Sequence, residues 1–407
     1  MEIGSVLHAM RDPAGLPGYP RLFQALLVLT WTFHIAFVLV TLGAASLAIY
    51  SFSKRETNPD WQRLSIALTK VTKVGVSMLI VLGVAPLLFV QVIYDPEWYT
   101  ANILSARWAV IFIFALIVGY CLWYAFYYAN HEGAKRRARW FAIGALTLFC
   151  LDGLVMHVFS YQSILPSRWM DWYAPYGVVD TSGSALHAIQ WSRFIFIMSL
   201  SAPAVGVFLL SYVEYFKIRP DYERSYLDFV RRLGRRFASY GFVLSLIPFM
   251  IWQFTNQSGL GLETNPIGWL LALAIILAGT ASFRLQAAGN GCLPAGAGVL
   301  VLMLLAIWRE VIRVHYLGSV GYTVADYRIN LDWPSTLLFL LTFVGVGGTV
   351  GGFYITLLYR SGRVRGLYEA ERSVASLGTA AVAVLVLWIA VFFAFGLVIW
   401  LRHSLVS

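Results

Sequence analysis

Runs of about 20 or more apolar residues alternate along this chain with short polar stretches, and about ten of them are long enough to cross a bilayer as helices. They fall near 22–51, 70–94, 105–129, 138–162, 186–214, 236–256, 267–287, 292–316, 335–359 and 376–401. The pattern predicts an all-α, polytopic membrane bundle. The first run is too long for a signal peptide and no small-residue cleavage site follows it, so it is expected to stay as a helix. The most polar stretch, 216–236, divides five runs from five, giving an expected N-terminal half (1–215), a basic connector and a C-terminal half (237–407). Pro86 and Pro203 lie inside spans 2 and 5, where a missing backbone hydrogen bond kinks a helix. Gly345, Gly347, Gly348, Gly351 and Gly352 in span 9 predict close helix packing rather than phosphate binding.

Composition agrees with a lipid environment: 59% of residues are hydrophobic and only 12% charged, with a mean hydropathy of +0.71. A soluble domain carries about 25% charged residues. The net charge of +10 reads as orientation rather than nucleic-acid contact. Of the 30 Lys and Arg residues about 21 fall on one side, in clusters such as Lys135, Arg136, Arg137 and Arg139. That side is therefore expected in the cytoplasm, and both termini outside. The outward loops carry aromatic residues, among them Trp98, Trp172, Tyr322 and Tyr327, and two of these loops, 163–186 and 317–334, are long enough to cover a site. Cys121, Cys150 and Cys292 are far apart, with no CxxCH for c-type haem and no CxxC for zinc or iron–sulfur.

Four of the seven histidines, His34, His157, His187 and His315, lie toward the outer side on four different spans. Imidazoles from separate helices are how membrane bundles hold b-type haem. By depth His34 and His157 form the best axial pair, while His187 and His315 sit nearer the interface. A buried histidine bonded to a hydroxyl or carbonyl is the competing reading. Asp152, near the middle of span 4, marks a proton path or a bound partner, or is a carboxyl kept neutral by burial. Five residues separate it from His157, which predicts different helix faces. Arg309 and Arg313 are four apart on span 8 and share a face that suits haem propionates or a quinone carbonyl, although Glu310 and Arg313 could neutralise each other. Trp191 and Arg193 at the start of span 5 are similar candidates.

The run RLFQALLVLTWTFHIAFVLVTLGAASLAIYSF resembles the opening helix of subunit I of cytochrome bd-type quinol oxidases, which carries a haem-ligating histidine at the place of His34. GVAPLLFVQVIYDPEWYTANIL is similar to that family's second helix and the aromatic loop after it, and spans 4 and 5 with their long loop continue the likeness over about residues 20–215. The resemblance implies haem b near the outer face, quinol (menaquinol or ubiquinol) as donor and a second membrane subunit. Gln91 stands where the family has a glutamate, Phe196 stands where it has a low-spin haem histidine, and 257–266 is too short for the family's quinol loop. Oxygen reduction is therefore not expected.

The leading expectation is a subunit of the bacterial inner membrane that takes electrons from quinol through haem b and passes them to a periplasmic partner such as a cytochrome c. His34, His157 and Gln91 would surround the haem, Arg193, Trp191, Arg309 and Arg313 would hold quinol or propionates, and Asp152 and Glu310 would handle protons. Two other readings stay open: a haem-free scaffold for other redox subunits, and a proton-coupled transporter built on Asp152 and the Arg309–Glu310–Arg313 cluster.

Overall fold

The computed structural model describes residues 3–256, 259–284 and 293–406, with side chains to 404; Cys292 and the expected end of span 7 (285–287) lie outside them. Among the described residues ten helices are long and apolar enough to cross a membrane, as the hydropathy pattern predicts. The chain is a multi-pass, all-α membrane protein.

A short helix α1 (Ile3–Ala9) precedes the first span, α2 (Pro20–Lys54). The next, α3 (Pro59–Ile93), starts where Asn58 accepts a hydrogen bond from the Asp60 amide at 2.8 Å and Pro59 supplies a preset helical φ. It runs unbroken through Pro86. A short α4 (Asp95–Leu104) leads into α5 (Ala106–Ala129) and α6 (Arg139–Gln162). After α7 (Trp169–Tyr173) and a single 3-10 turn at Pro175–Gly177 the chain runs without helix to span 5, which is two helices, α8 (Trp191–Ser199) and α9 (Ser201–Phe216). The break falls four residues before Pro203, whose ring cannot hydrogen-bond the Ser199 carbonyl and crowds it. Gly241 accommodates that proline, since a Cβ there would meet Pro203 Cδ at 2.7 Å.

Most of the expected basic connector is helix. α10 (Arg224–Phe254) begins well before the apolar run, because Tyr226, Leu227 and Val230 give its first turns a buried face. Only 217–223, with Pro220, is left between the spans. α11 (Pro266–Arg284) and α12 (Leu293–Gly318) follow, then α13 (Trp333–Leu340), a π-helical turn at Leu341–Val346, α14 (Gly347–Ser361) and α15 (Arg372–Val406). The chain parts into two compact units. The larger holds Met1–Leu16, Pro20–Glu214 and Arg224–Arg328, and the smaller Pro17–Tyr19, Tyr215–Glu223 and Ile329–Ser407.

The larger unit is tightly packed. Its core joins Phe196, Phe249, Trp252, Leu305 and Trp308. Both long outward loops close over it. The 163–186 loop is pinned where Ser105 Oγ donates to the Ala185 carbonyl and Trp108 Nε1 to that of Ser184, both at 2.7 Å. In the other loop Tyr322 and Tyr327 are buried beneath Arg11, whose guanidinium stands 4.3 and 3.9 Å from their ring centres, while the Tyr327 hydroxyl donates to Asp95.

Candidate functional site

One cavity of about 590 Å³ opens inside the larger unit. Its size is that of a small-molecule or cofactor site. Its lining includes His34 from α2, Gln91 from α3, Asp152 and His157 from α6, Arg193 from α8, and Arg309, Glu310 and Arg313 from α12. Residues spread over 280 positions of sequence thus meet around one space. Asp152 and His157, expected on different faces, both line it, because the cavity extends along α6 past Gly153 and Met156.

The hydrogen bonds assign each ring nitrogen a role. His34 Nδ1 lies 3.0 Å from the Leu79 carbonyl, which can only accept, so Nδ1 carries the proton and Nε2 keeps its lone pair. That is the second-shell arrangement of metal-ligating histidines. Gly83 leaves the ring its space: a Cβ there would stand 3.0 Å from His34 Cε1. His157 is different. Its Nε2 accepts the Gln190 amide at 3.2 Å, which puts the proton on Nδ1, a buried donor with no partner among the described residues. No lone pair is left for iron, so the expected His34–His157 axial pair does not match the hydrogen bonding; His157 is placed to donate to a ligand instead.

The charged groups are unbalanced. Arg313 is paired with Glu310 at 2.7 Å. No acid pairs with Arg193 or Arg309 among the described residues. Arg193 is buried and donates to Ser160 Oγ at 2.6 Å, and the Arg309 guanidinium lies 3.8 Å from the Trp31 ring centre. Nε of each, and both carboxylate oxygens of Asp152, are buried without a partner. A buried guanidinium without an acid partner is costly unless its charge and hydrogen bonds are met, so two of them at one cavity call for an anionic ligand. Glu310 Oε1 accepts from Gln24 Nε2 at 3.1 Å and from the Tyr94 hydroxyl.

Three expected residues are not brought to the cavity. Trp191 is 54% exposed and meets the edge of Phe194. His187 stacks on Trp172 with ring centres 5.3 Å apart, and its Nε2 lies 3.3 Å from the Leu104 carbonyl. His315 Nδ1 bonds the Val311 carbonyl of its own helix at 2.8 Å. Phe196 is packed between Phe249 and Trp252 at 5.0 and 5.8 Å. Trp31, Gly83, Tyr94 and Ser160 are site residues that sequence reasoning missed. Trp31, three positions before His34, carried the one available signal, since that spacing shares a helix face.

No family model, curated protein or solved structure matches this chain.

Proposed function

We propose that the chain is an electron-transfer subunit of the bacterial inner membrane that oxidises quinol near the face opposite its basic loops, through a b-type haem in this cavity, and hands the electrons to a periplasmic redox partner. One observation carries the reading: a histidine with a free, oriented Nε2 and two guanidinium groups without acid partners line the same cavity. Iron porphyrin with two propionates answers both needs. His34 would hold the iron through Nε2, and Arg193 and Arg309 would hold the propionates. When bound, the haem supplies a one-electron couple that can divide the two electrons of a quinol.

The remaining groups serve protons and orientation. Glu310, tied through Oε2 to Arg313, accepts through Oε1 from Gln24 Nε2 and from the Tyr94 hydroxyl, and these donors hold it in place as a carboxylate. Asp152 and the Nδ1 proton of His157 are free to hydrogen-bond a ligand. Gln91 keeps a neutral amide where an oxygen-reducing relative has an acid, and Phe196 fills core volume, which supports electron transfer without oxygen chemistry. A periplasmic cytochrome c and a second membrane subunit are the partners this role requires.

The test is optical. The purified chain in vesicles, given quinol without oxygen, is expected to develop a reduced b-type band. A chain that shows no b-type band even with dithionite would overturn the reading and leave the haem-free scaffold.

A further inference from the structure

The cavity has two unlike walls. The side formed by α6, α8 and α12 carries Asp152, His157, Arg193, Arg309, Glu310 and Arg313, while α3 and α5 contribute apolar side chains apart from Gln91. On that apolar side Ile80, Val84 and Ile113 line the cavity and are nevertheless 39%, 51% and 55% exposed. Their neighbours Val81 and Ile117 are exposed without lining it. The space therefore reaches the lipid-facing surface between α3 and α5. The gap has defined ends. Toward the basic side Ser77 of α3 is hydrogen-bonded to Tyr120 of α5. At the other end α4 bridges the two helices, from Asp95 to Leu104.

We propose that this gap is a lateral window through which a lipid-dissolved amphiphile reaches the cavity, its polar head against Asp152 and His157 of α6, which the arginines leave free, and its isoprenoid or alkyl tail lying between α3 and α5. The identity of that amphiphile as quinol rests on the function proposed above; the route rests on the shape and chemistry of the cavity. A window lined by branched aliphatic residues selects for a tail and excludes ions and hydrated solutes, because no polar group there replaces their water. The ligand class is thus a long-tailed quinone rather than a tailless, water-borne one.

The experiment uses the full-length chain in phosphatidylcholine vesicles with a long-chain benzoquinone that carries a diazirine in its tail. After irradiation, adducts are mapped by mass spectrometry with and without unlabelled long-chain quinone. Adducts at Ile80, Val84, Leu87, Ile113 and Leu116, which line the cavity, are expected to fall about tenfold with competitor, as for a saturable site, while adducts at lipid-facing Val81 and Leu88 are expected to persist. Paired Val84→Trp and Ile113→Trp substitutions should remove the competable adducts, and Val81→Trp should leave them. Labelling of the window that competitor does not reduce, or equal competition at every lipid-facing position, would overturn the proposal. Failure to find a b-type band would overturn the proposed function without touching this result, so the two are separable.

Discussion

The first eight spans and the last two answer the same hydropathy criterion in opposite ways. In the larger unit glycines are sites of close approach: a Cβ on Gly43 would meet the Ser201 carbonyl at 2.2 Å, and one on Gly206 the Ala238 amide at 2.2 Å. In the smaller unit the glycine-rich stretch of span 9 is open, with nothing within 4 Å of a Cβ on Gly345, Gly348, Gly351 or Gly352. The expected close packing of those glycines is not there; the tight contact falls at Gly378, against the Phe353 ring at 2.9 Å. None of the most apolar window of either closing helix is buried. The difference teaches that apolarity decides which segments enter lipid, whereas burial of polar groups decides where chemistry can be held. Every polar residue of the cavity belongs to the larger unit.

The contrast can be broken most sharply at its glycines. Gly206→Leu is expected to abolish folded protein in detergent, since overpacking costs about 1–3 kcal/mol even for small additions and here backbone lies in the way. Gly351→Leu, in open space, should leave yield and thermal midpoint near the parent's. Equal loss in both would mean that span 9 is packed after all.

A smaller effect is expected at the cavity. Arg309→Gln keeps a polar, hydrogen-bonding side chain but removes a charge with no acid partner, and should weaken retention of the proposed anionic cofactor by about 10–100-fold, the range for loss of a supporting contact. Cofactor content across a dialysis series measures it. The expected change in thermal stability of the emptied protein has the opposite sign, because an uncompensated buried charge is gone.

The smallest effect lies outside the spans, at Glu97. It is buried in α4, and burial pushes its carboxyl up to about 8, with Asp95 adding to the rise. The folded state thus binds its proton more tightly than the unfolded state, whose carboxyl titrates near 4.5. Its contribution is fully present below about 4.5 and is lost as pH rises through about 8. Glu97→Gln should flatten the decline of the thermal midpoint over that interval and be the more stable protein above it. Parallel curves would contradict the assignment.

How far the site was legible follows from helical geometry. The positions of the spans are written in apolar run length, and Arg309 with Arg313 declared a shared face by their spacing. The same spacing rule separates the residues that depth alone grouped together. His315 is two positions, about 200° of helix, from Arg313, and Trp191 is two from Arg193, so each turns away from the cavity its neighbour lines. His187 lies in the non-helical stretch before α8, where no periodicity applies. Distance from the membrane surface was readable; direction around the helix was used only for some residues. The tautomers of His34 and His157 were beyond the sequence, because each depends on a backbone group, Leu79 or Gln190, whose approach is a product of the fold. The basic stretch from 224 reads as a connector by composition, although the buried face at Tyr226, Leu227 and Val230 lets it continue as helix.

The central claim of the proposed function is that His34, and neither His187 nor His315, holds iron in the cavity. Haem content per chain, measured by pyridine haemochrome on purified His34→Ala, His187→Ala and His315→Ala proteins, tests it most directly. The account predicts that haem is lost in the first and kept at the parent level in the other two. Full haem content in His34→Ala, or its loss in either of the others, would contradict it.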